Sequence, residues 1–223
     1  MAFLWQLMLT IFSQNTRWRL RHPKQTMDVH SNPILIVMLC IAAYLVGSVL
    51  FAVVVCRYLK LPDPRALGSG NPGATNVYRV GGWEPAAITL GLDALKGWVP
   101  VWLAHLADFS ILVQAMVALC AVTGHMIPAF FRFKGGKGVA TALGAGLALA
   151  PLTTLIMAAL WLVIMWRWRI SAVASIIAIV SGPVISALLE PETLPLFGLL
   201  ALLIVVRHRN NLIRLAQGRE TGL

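Results

Sequence analysis

Seven apolar runs, each set off from the next by a short polar link, constrain this chain more than any other feature. They extend from about Pro33 to Cys56, Glu84 to Leu106, Ser110 to Phe131, Val139 to Ala150, Leu152 to Trp166, Ile170 to Leu189 and Leu194 to Val206. Several approach or exceed the roughly 20 residues that cross a bilayer. In hydrocarbon every backbone N–H and C=O must find its partner inside the protein, and a run of this length does so as a helix. Composition agrees. Of the 223 residues, 59% are hydrophobic and 12% charged, against about 25% charged in a soluble domain. The sequence predicts an all-α integral membrane protein with about seven transmembrane helices. The runs from Val139 and Leu152 are short, so they need protein cover or tilt at one end.

Charge then orients the chain. The net charge is +10, and the cations cluster at Arg17 to Lys24, Arg57 to Arg65, Arg132 to Lys137, Arg167 to Arg169 and Arg207 to Arg219. With the loop 57–82 in the cytoplasm, the links near Asp108, near Pro151 and at Glu190-Pro191-Glu192 fall outside, and they contain no Lys or Arg. The links at 132–138 and 166–170 and the tail from Arg207 fall inside, and all are basic. Seven spans thus satisfy the positive-inside rule at every link. The polar motifs then gather on the cytoplasmic face. Basic clusters also attract anionic headgroups, which is enough to explain most of these cations. Short basic segments divided by spans do not suit nucleic acid.

Residues 1–26 break the pattern, because Arg17, Arg19 and Arg21 would lie outside. Phe3 to Phe12 is too short to span and precedes the basic stretch, so it makes a poor signal peptide. Met27 begins a plausible chain of its own. Residues 1–26 therefore read as an extension without assigned function, and 27–223 as a single polytopic domain. Cys40, Cys56 and Cys120 lie in or beside apolar runs with no CxxC spacing, which suits small core residues. No His, Cys and carboxylate cluster has metal-ligand spacing, so no metal or cofactor is expected.

Three polar segments interrupt the apolar pattern. The first is Gly68-Ser69-Gly70-Asn71-Pro72-Gly73-Ala74-Thr75-Asn76 with Arg79. It fits G-x-G-x-x-G, with Asp93 twenty residues past Gly73, but no strand precedes it and no βαβ unit surrounds it, so a dinucleotide fold is excluded. What remains is a loop able to turn sharply and present N–H groups, with Ser69, Asn71, Thr75 and Asn76 as neutral donors. Arg79 adds a planar cation suited to phosphate. The second, Lys134-Gly135-Gly136-Lys137-Gly138, is not a Walker A loop, because Val139 stands where Ser or Thr is required. It nevertheless opens an apolar helix, whose N-terminus favours an anion. The third is Arg207-His208-Arg209-Asn210-Asn211 with Arg214. His208 and Asn211 are three apart and could share a helical face. The alternative for each segment is an ordinary polar link or stop-transfer tail.

Other polar residues lie within the spans. Asp93 and Lys96, one turn apart, read best as an ion pair that shapes a site. His125 either orients a substrate or satisfies a buried contact. Ser171 and Ser175 sit just inside the cytoplasmic end of the sixth run, and nothing in the sequence chooses between them.

Taken together, these segments resemble the bacterial acyl-phosphate:glycerol-3-phosphate acyltransferase family, the PlsY type. The likeness rests on Ser69 to Asn76 with Arg79, on Gly124-His125 through Phe130 and then Phe133 to Thr141, and on Arg207-His208 through Asn211, Arg214-Leu215, Gly218 and Glu220. Asp93-Ala94-Leu95-Lys96-Gly97 also fits. The similarity runs from about Ile34 to Glu220. The Leu50-Phe51 pair after Ser48 departs from the family pattern. The resemblance implies transfer of a fatty acyl group from acyl phosphate to the 1-hydroxyl of sn-glycerol 3-phosphate. This is the first step of phospholipid synthesis, giving lysophosphatidic acid and inorganic phosphate. It implies catalytic roles for His208, Lys137 and Arg79. Phosphate contacts would come from Ser69, Gly70, Asn71, Thr75, Asn76, Gly135, Gly136, Gly138, Ser171, Ser175 and Asn211. His125, Asp93, Lys96 and Arg207 would support them. It implies neither metal nor acyl-CoA, and function as a monomer in the bilayer.

The chemistry suits the residues. Both substrates carry phosphate, so a shared site needs cations and N–H donors against repulsion. No Gly-x-Ser-x-Gly elbow occurs, so direct transfer without an acyl-enzyme is expected, with His208 or a substrate phosphate oxygen as base. A carrier of a phosphorylated solute is the main rival, hinted at by the interrupted runs over 139–166. Against it, no inverted repeat is visible, and the polar groups gather on one face. A non-catalytic scaffold leaves the density of Gly, Asn and cations unexplained.

Overall fold

Every apolar run folds as helix. The computed structural model describes residues 32–222. The expectations for residues 1–26 lie outside the described residues. The helices are α1 (Pro33–Gly47), α2 (Phe51–Tyr58), α3 (Ala74–Gly81), α4 (Trp83–Leu106), α5 (Ile111–Met126), α6 (Val139–Leu149), α7 (Pro151–Trp168), α8 (Ser171–Leu189), α9 (Leu194–Arg207) and α10 (Arg209–Ala216). Short 3-10 turns occupy Ala129–Phe131 and Pro191–Thr193. Among the described residues there is no strand.

Seven runs do not yield seven helices that could cross on their own. By length and apolarity, Pro33–Tyr58, Ile111–Phe131, Pro151–Trp168 and Ser171–Leu189 qualify. The bent pair Pro191–Arg207 and Arg209–Ala216, with an angle of 58°, makes a fifth if taken as one broken span. The remaining two runs fall short for physical reasons. Helix α4 has 24 residues, ample for a crossing, but it carries Asp93 and Lys96. Helix α6 has 11 residues, about 16 Å of helix against a hydrocarbon core of ~30 Å.

These two helices shield each other. A methyl group on Gly97 would fall on the Thr141 carbonyl oxygen, and one on Gly144 on the Ala94 carbonyl oxygen. Only hydrogen lets the backbones meet at such range, and close backbone approach is a main source of helix association in lipid. Helices α1 and α5 repeat the device, with Gly47 against Ala121 and Gly124 against Tyr44. The apolar core lies between, built from Val101 and Ala104 of α4, Val117, Ala121 and Val122 of α5, and Leu196, Phe197, Leu200 and Ile204 of α9.

The first run is broken at Ser48–Leu50. The break exposes the Val49 carbonyl, and Lys96 Nζ donates to it at 2.6 Å. Lys96 also pairs with Asp93 at 2.7 Å and meets His125 Nδ1 at 2.8 Å. Ser48 Oγ donates to the Tyr44 carbonyl at 2.8 Å and accepts from Ala129 N–H at 3.2 Å. The costly intramembrane ions are thus matched to one another and to a helix break.

Candidate active site

The first polar segment is held by Asn76. Its Nδ2 donates to the carbonyls of Pro64 (2.6 Å) and Leu67 (3.0 Å), and its Oδ1 accepts from Ser69 N–H (2.9 Å). Asn76 is 1% exposed, so its amide shapes the loop from beneath. Gly68 has φ +60°, and a methyl there would meet Asn76 Oδ1. The loop delivers Gly73 as the N-cap of α3, with no side chain capping the helix. One residue into α3, Thr75 Oγ1 lies 3.0 Å from Ser171 Oγ.

The glycine-rich segment is held from two sides. Gly136 N–H donates to the His125 carbonyl at 3.1 Å, and the His125 ring fills the space a Gly136 side chain would need. Arg207 Nη2 donates to the carbonyls of Met126 (2.8 Å), Gly135 (2.9 Å) and Gly136 (2.9 Å). Arg207 is therefore committed to the loop. Gly138, with φ +83°, turns the chain into α6, whose N-terminus also has no side-chain cap. Among the described residues, Lys137 Nζ makes no hydrogen bond.

The third segment sits where α9 meets α10. His208 is 1% exposed. Its Nδ1 lies 2.8 Å from the Ile204 carbonyl, which assigns the proton to Nδ1 and leaves Nε2 as the lone pair. The tail then folds back over the site. Glu220 accepts from Asn211 Nδ2 at 2.5 Å and from Arg214 Nε at 2.6 Å. Arg79 Nη2 donates to the carbonyls of Thr221 (3.1 Å) and Gly222 (3.3 Å).

One cavity of about 900 Å³ joins these parts. It touches Ser69, Asn71, Thr75, Asn76, Arg79, Asp93, His125, Lys137, Gly138, Ser171, Ser175, His208 and Asn211. A second cavity of about 350 Å³ takes in Gly70, Gly135, Gly136 and Arg207, and shares Ser69, Asn71, Lys137, Asn211 and Arg214 with the first. Lys96 lines neither and acts through Asp93 and His125. The main cavity is also lined by residues not assigned a site role from the sequence, among them Trp161, Arg214, Arg219 and Glu220. Trp161 Nε1 donates to Ser175 Oγ at 3.0 Å, so each candidate serine has its own partner. Trp161 gave no signal within its apolar run. Glu220 was visible as an acid in a basic tail.

The electrostatics favour an anion. The N-terminal ends of α3, α6 and α8 all reach the cavity wall at Ala74, Val139 and Ser171, and none has a side-chain cap. Three sets of unpaired N–H groups and three positive helix ends therefore face one space. Arg79, Lys137, Arg214 and Arg219 add charge. Burial pushes the Lys137 ammonium down to about 8, with Arg214 and Arg79 adding to the fall and Glu220 opposing it. Away from this end the wall is apolar, with Ala142, Met157, Ile179, Phe197 and Leu200.

A model described as glycerol-3-phosphate acyltransferase matches residues 37–218. The chain belongs to the glycerol-3-phosphate acyltransferase family. The resemblance drawn from the three motifs is thereby borne out. A glycerol-3-phosphate acyltransferase of Hahella chejuensis is 50% identical over 192 residues, covering 86% of this chain and 99% of that protein. One from Neisseria meningitidis serogroup C is 47% identical over 190 residues, covering 81% and 94%. Two crystal structures of PlsY (YgiH), an integral membrane glycerol 3-phosphate acyltransferase, share the fold. The glycerol 3-phosphate form gives a TM-score of 0.79 at 41% identity, covering 84% of this chain and 95% of that one. The lysophosphatidic acid form gives 0.78 at 40% identity, with the same coverage. Membership makes this family chain a multi-pass membrane enzyme.

Proposed function

We propose that this chain transfers a fatty acyl group from acyl phosphate to the 1-hydroxyl of sn-glycerol 3-phosphate, releasing lysophosphatidic acid and inorganic phosphate. The observation that carries the reading is the continuity of one cavity. Its polar end gathers three helix N-termini with Arg79, Lys137 and Asn211, and its other end is apolar. A donor with a phosphate head and a fatty tail needs both ends. Ser69, Asn71, Thr75 and the backbone N–H groups of Gly135 and Gly138 complete the phosphate cradle, with Ser171 and Ser175 at its edge. Gly70 and Gly136, expected to contact phosphate, instead spend their N–H groups on the Leu67 and His125 carbonyls and fix the loops. Asn76, His125, Asp93, Lys96 and Arg207 hold it in shape.

The hydroxyl oxygen of glycerol 3-phosphate attacks the acyl carbonyl carbon. The bond from that carbon to the bridging oxygen breaks, and phosphate leaves with the bridging oxygen. The hydroxyl proton passes to His208 Nε2 or to a substrate phosphate oxygen. Acyl phosphate is a mixed anhydride with a good leaving group, so alignment supplies much of the acceleration. Direct transfer is favoured by the serines: Ser171 pairs with Thr75 and Ser175 with Trp161, and neither pairs with a histidine. The site faces the cytoplasm from the bacterial inner membrane, as the basic links argue, and one copy of the chain suffices.

Phosphate release from palmitoyl phosphate and glycerol 3-phosphate by purified protein tests this. Release should require both substrates and fall about a hundredfold or more in Arg79→Ala and in Lys137→Ala. No release by folded wild-type protein would sink the reading and move the carrier to first place. A burst with acylated protein would refute direct transfer.

A further inference from the structure

The main cavity is open at one depth and closed at another. Leu90 of α4 and Leu162 of α7 both line it, and they are 45% and 62% exposed. The wall between these helices thus opens to lipid at the level nearer the basic links. Deeper, the lining passes to Thr154, Met157 and Phe197, which are 3%, 8% and 1% exposed. From His208 to Phe197 the wall of α9 runs eleven residues, about 16 Å. That is close to one leaflet's share, about 15 Å, of a ~30 Å hydrocarbon core.

Beyond this floor lies polar ground. Thr153, Ser186 and Thr193 are buried. Thr193 Oγ1 donates to the Glu190 carbonyl at 2.7 Å and meets Ser186 Oγ at 3.3 Å. Glu190 in turn accepts from Thr153 N–H at 2.9 Å. A methyl tail pushed into this cluster would break satisfied hydrogen bonds. The floor is also braced from behind. Gly182 of α8 does not line the cavity, and a methyl on it would stand 3.0 Å from Met157 Sδ and 3.2 Å from Phe197 Cδ1.

The geometry points to a chain-length ruler: the floor formed by Met157, Phe197 and Thr154 sets how long an acyl group this enzyme transfers. A donor head fixed on the cation cluster places its tail at a defined depth. A tail too short leaves the floor unfilled, and one too long meets Phe197. The inference rests on the acyl-phosphate donor proposed above.

The test is kcat/KM for lauroyl, myristoyl, palmitoyl and stearoyl phosphate at saturating glycerol 3-phosphate. Phe197→Ala deepens the slot and should raise the stearoyl-to-myristoyl ratio about tenfold, because small differences in apolar fit discriminate by about that much. Phe197→Leu, the gentler change, should move the ratio the same way by less. Gly182→Ala presses Met157 and Phe197 toward the chain and should lower it. All three should keep the wild-type KM for glycerol 3-phosphate. If the wild type turns over donors and every variant shares its profile, the ruler is overturned and the donor reading stands. If the wild type turns over none, both fall.

Discussion

Burial pushes the Lys137 ammonium down to about 8, so its charge is present below that pH and lost above it. An anion binds the charged form. The value of kcat/KM for glycerol 3-phosphate should therefore decline as pH rises through about 8. Bound phosphate stabilises the ammonium, so the corresponding decline in kcat should lie at higher pH. In Lys137→Arg the guanidinium stays charged throughout the working pH range, and the alkaline limb should vanish from whatever activity remains. A pH profile that is identical in the two proteins would remove Lys137 from anion binding. Glu220 offers a second case. It fixes Asn211 and Arg214 together, so Glu220→Ala should raise the KM for glycerol 3-phosphate. If that effect travels through the Asn211 amide, adding Asn211→Ala to Glu220→Ala should cost little more than Asn211→Ala alone.

At the scale of elements, the fold depends on backbones that touch. Gly144→Val should destabilise the contact of α4 with α6 by about 1–3 kcal/mol through overpacking, seen as earlier thermal aggregation in detergent. The ion pair beneath the glycine loop behaves differently. Lys96→Met leaves Asp93 buried without a cation and should cost about 3–5 kcal/mol. Asp93→Leu with Lys96→Met should recover most of that while leaving Val49 and His125 unpartnered. These couplings mark where sequence reading ends. Apolar periodicity and the Asp93–Lys96 spacing made the helices and their pair legible. The partners of Lys96 were not, because Val49 and His125 lie 47 and 29 residues away. The count of seven crossings is not confirmed by helix length and apolarity alone, because the run that forms α6 is short and finds its cover in α4, a contact between residues as far apart in the chain as Gly97 and Thr141.

For the whole molecule, the motif residues were legible because glycines, asparagines and cations stand out against an apolar background. Trp161 did not, since one aromatic among Leu and Met looks like any lipid-facing residue, and only its bond to Ser175 separates it. Lys134 is exposed in a basic link, so Lys134→Cys on a cysteine-free background should react with an impermeant thiol reagent in inside-out vesicles and stay protected in right-side-out ones. The opposite pattern would invert the topology. The lateral gap beside Leu90 and Leu162 carries a kinetic consequence. A donor that enters through it arrives from a two-dimensional phase, so its effective concentration is a mole fraction in the membrane rather than a molarity in the buffer. Adding inert detergent at constant total donor should therefore slow the enzyme by surface dilution, while glycerol 3-phosphate, arriving from water, keeps an unchanged KM.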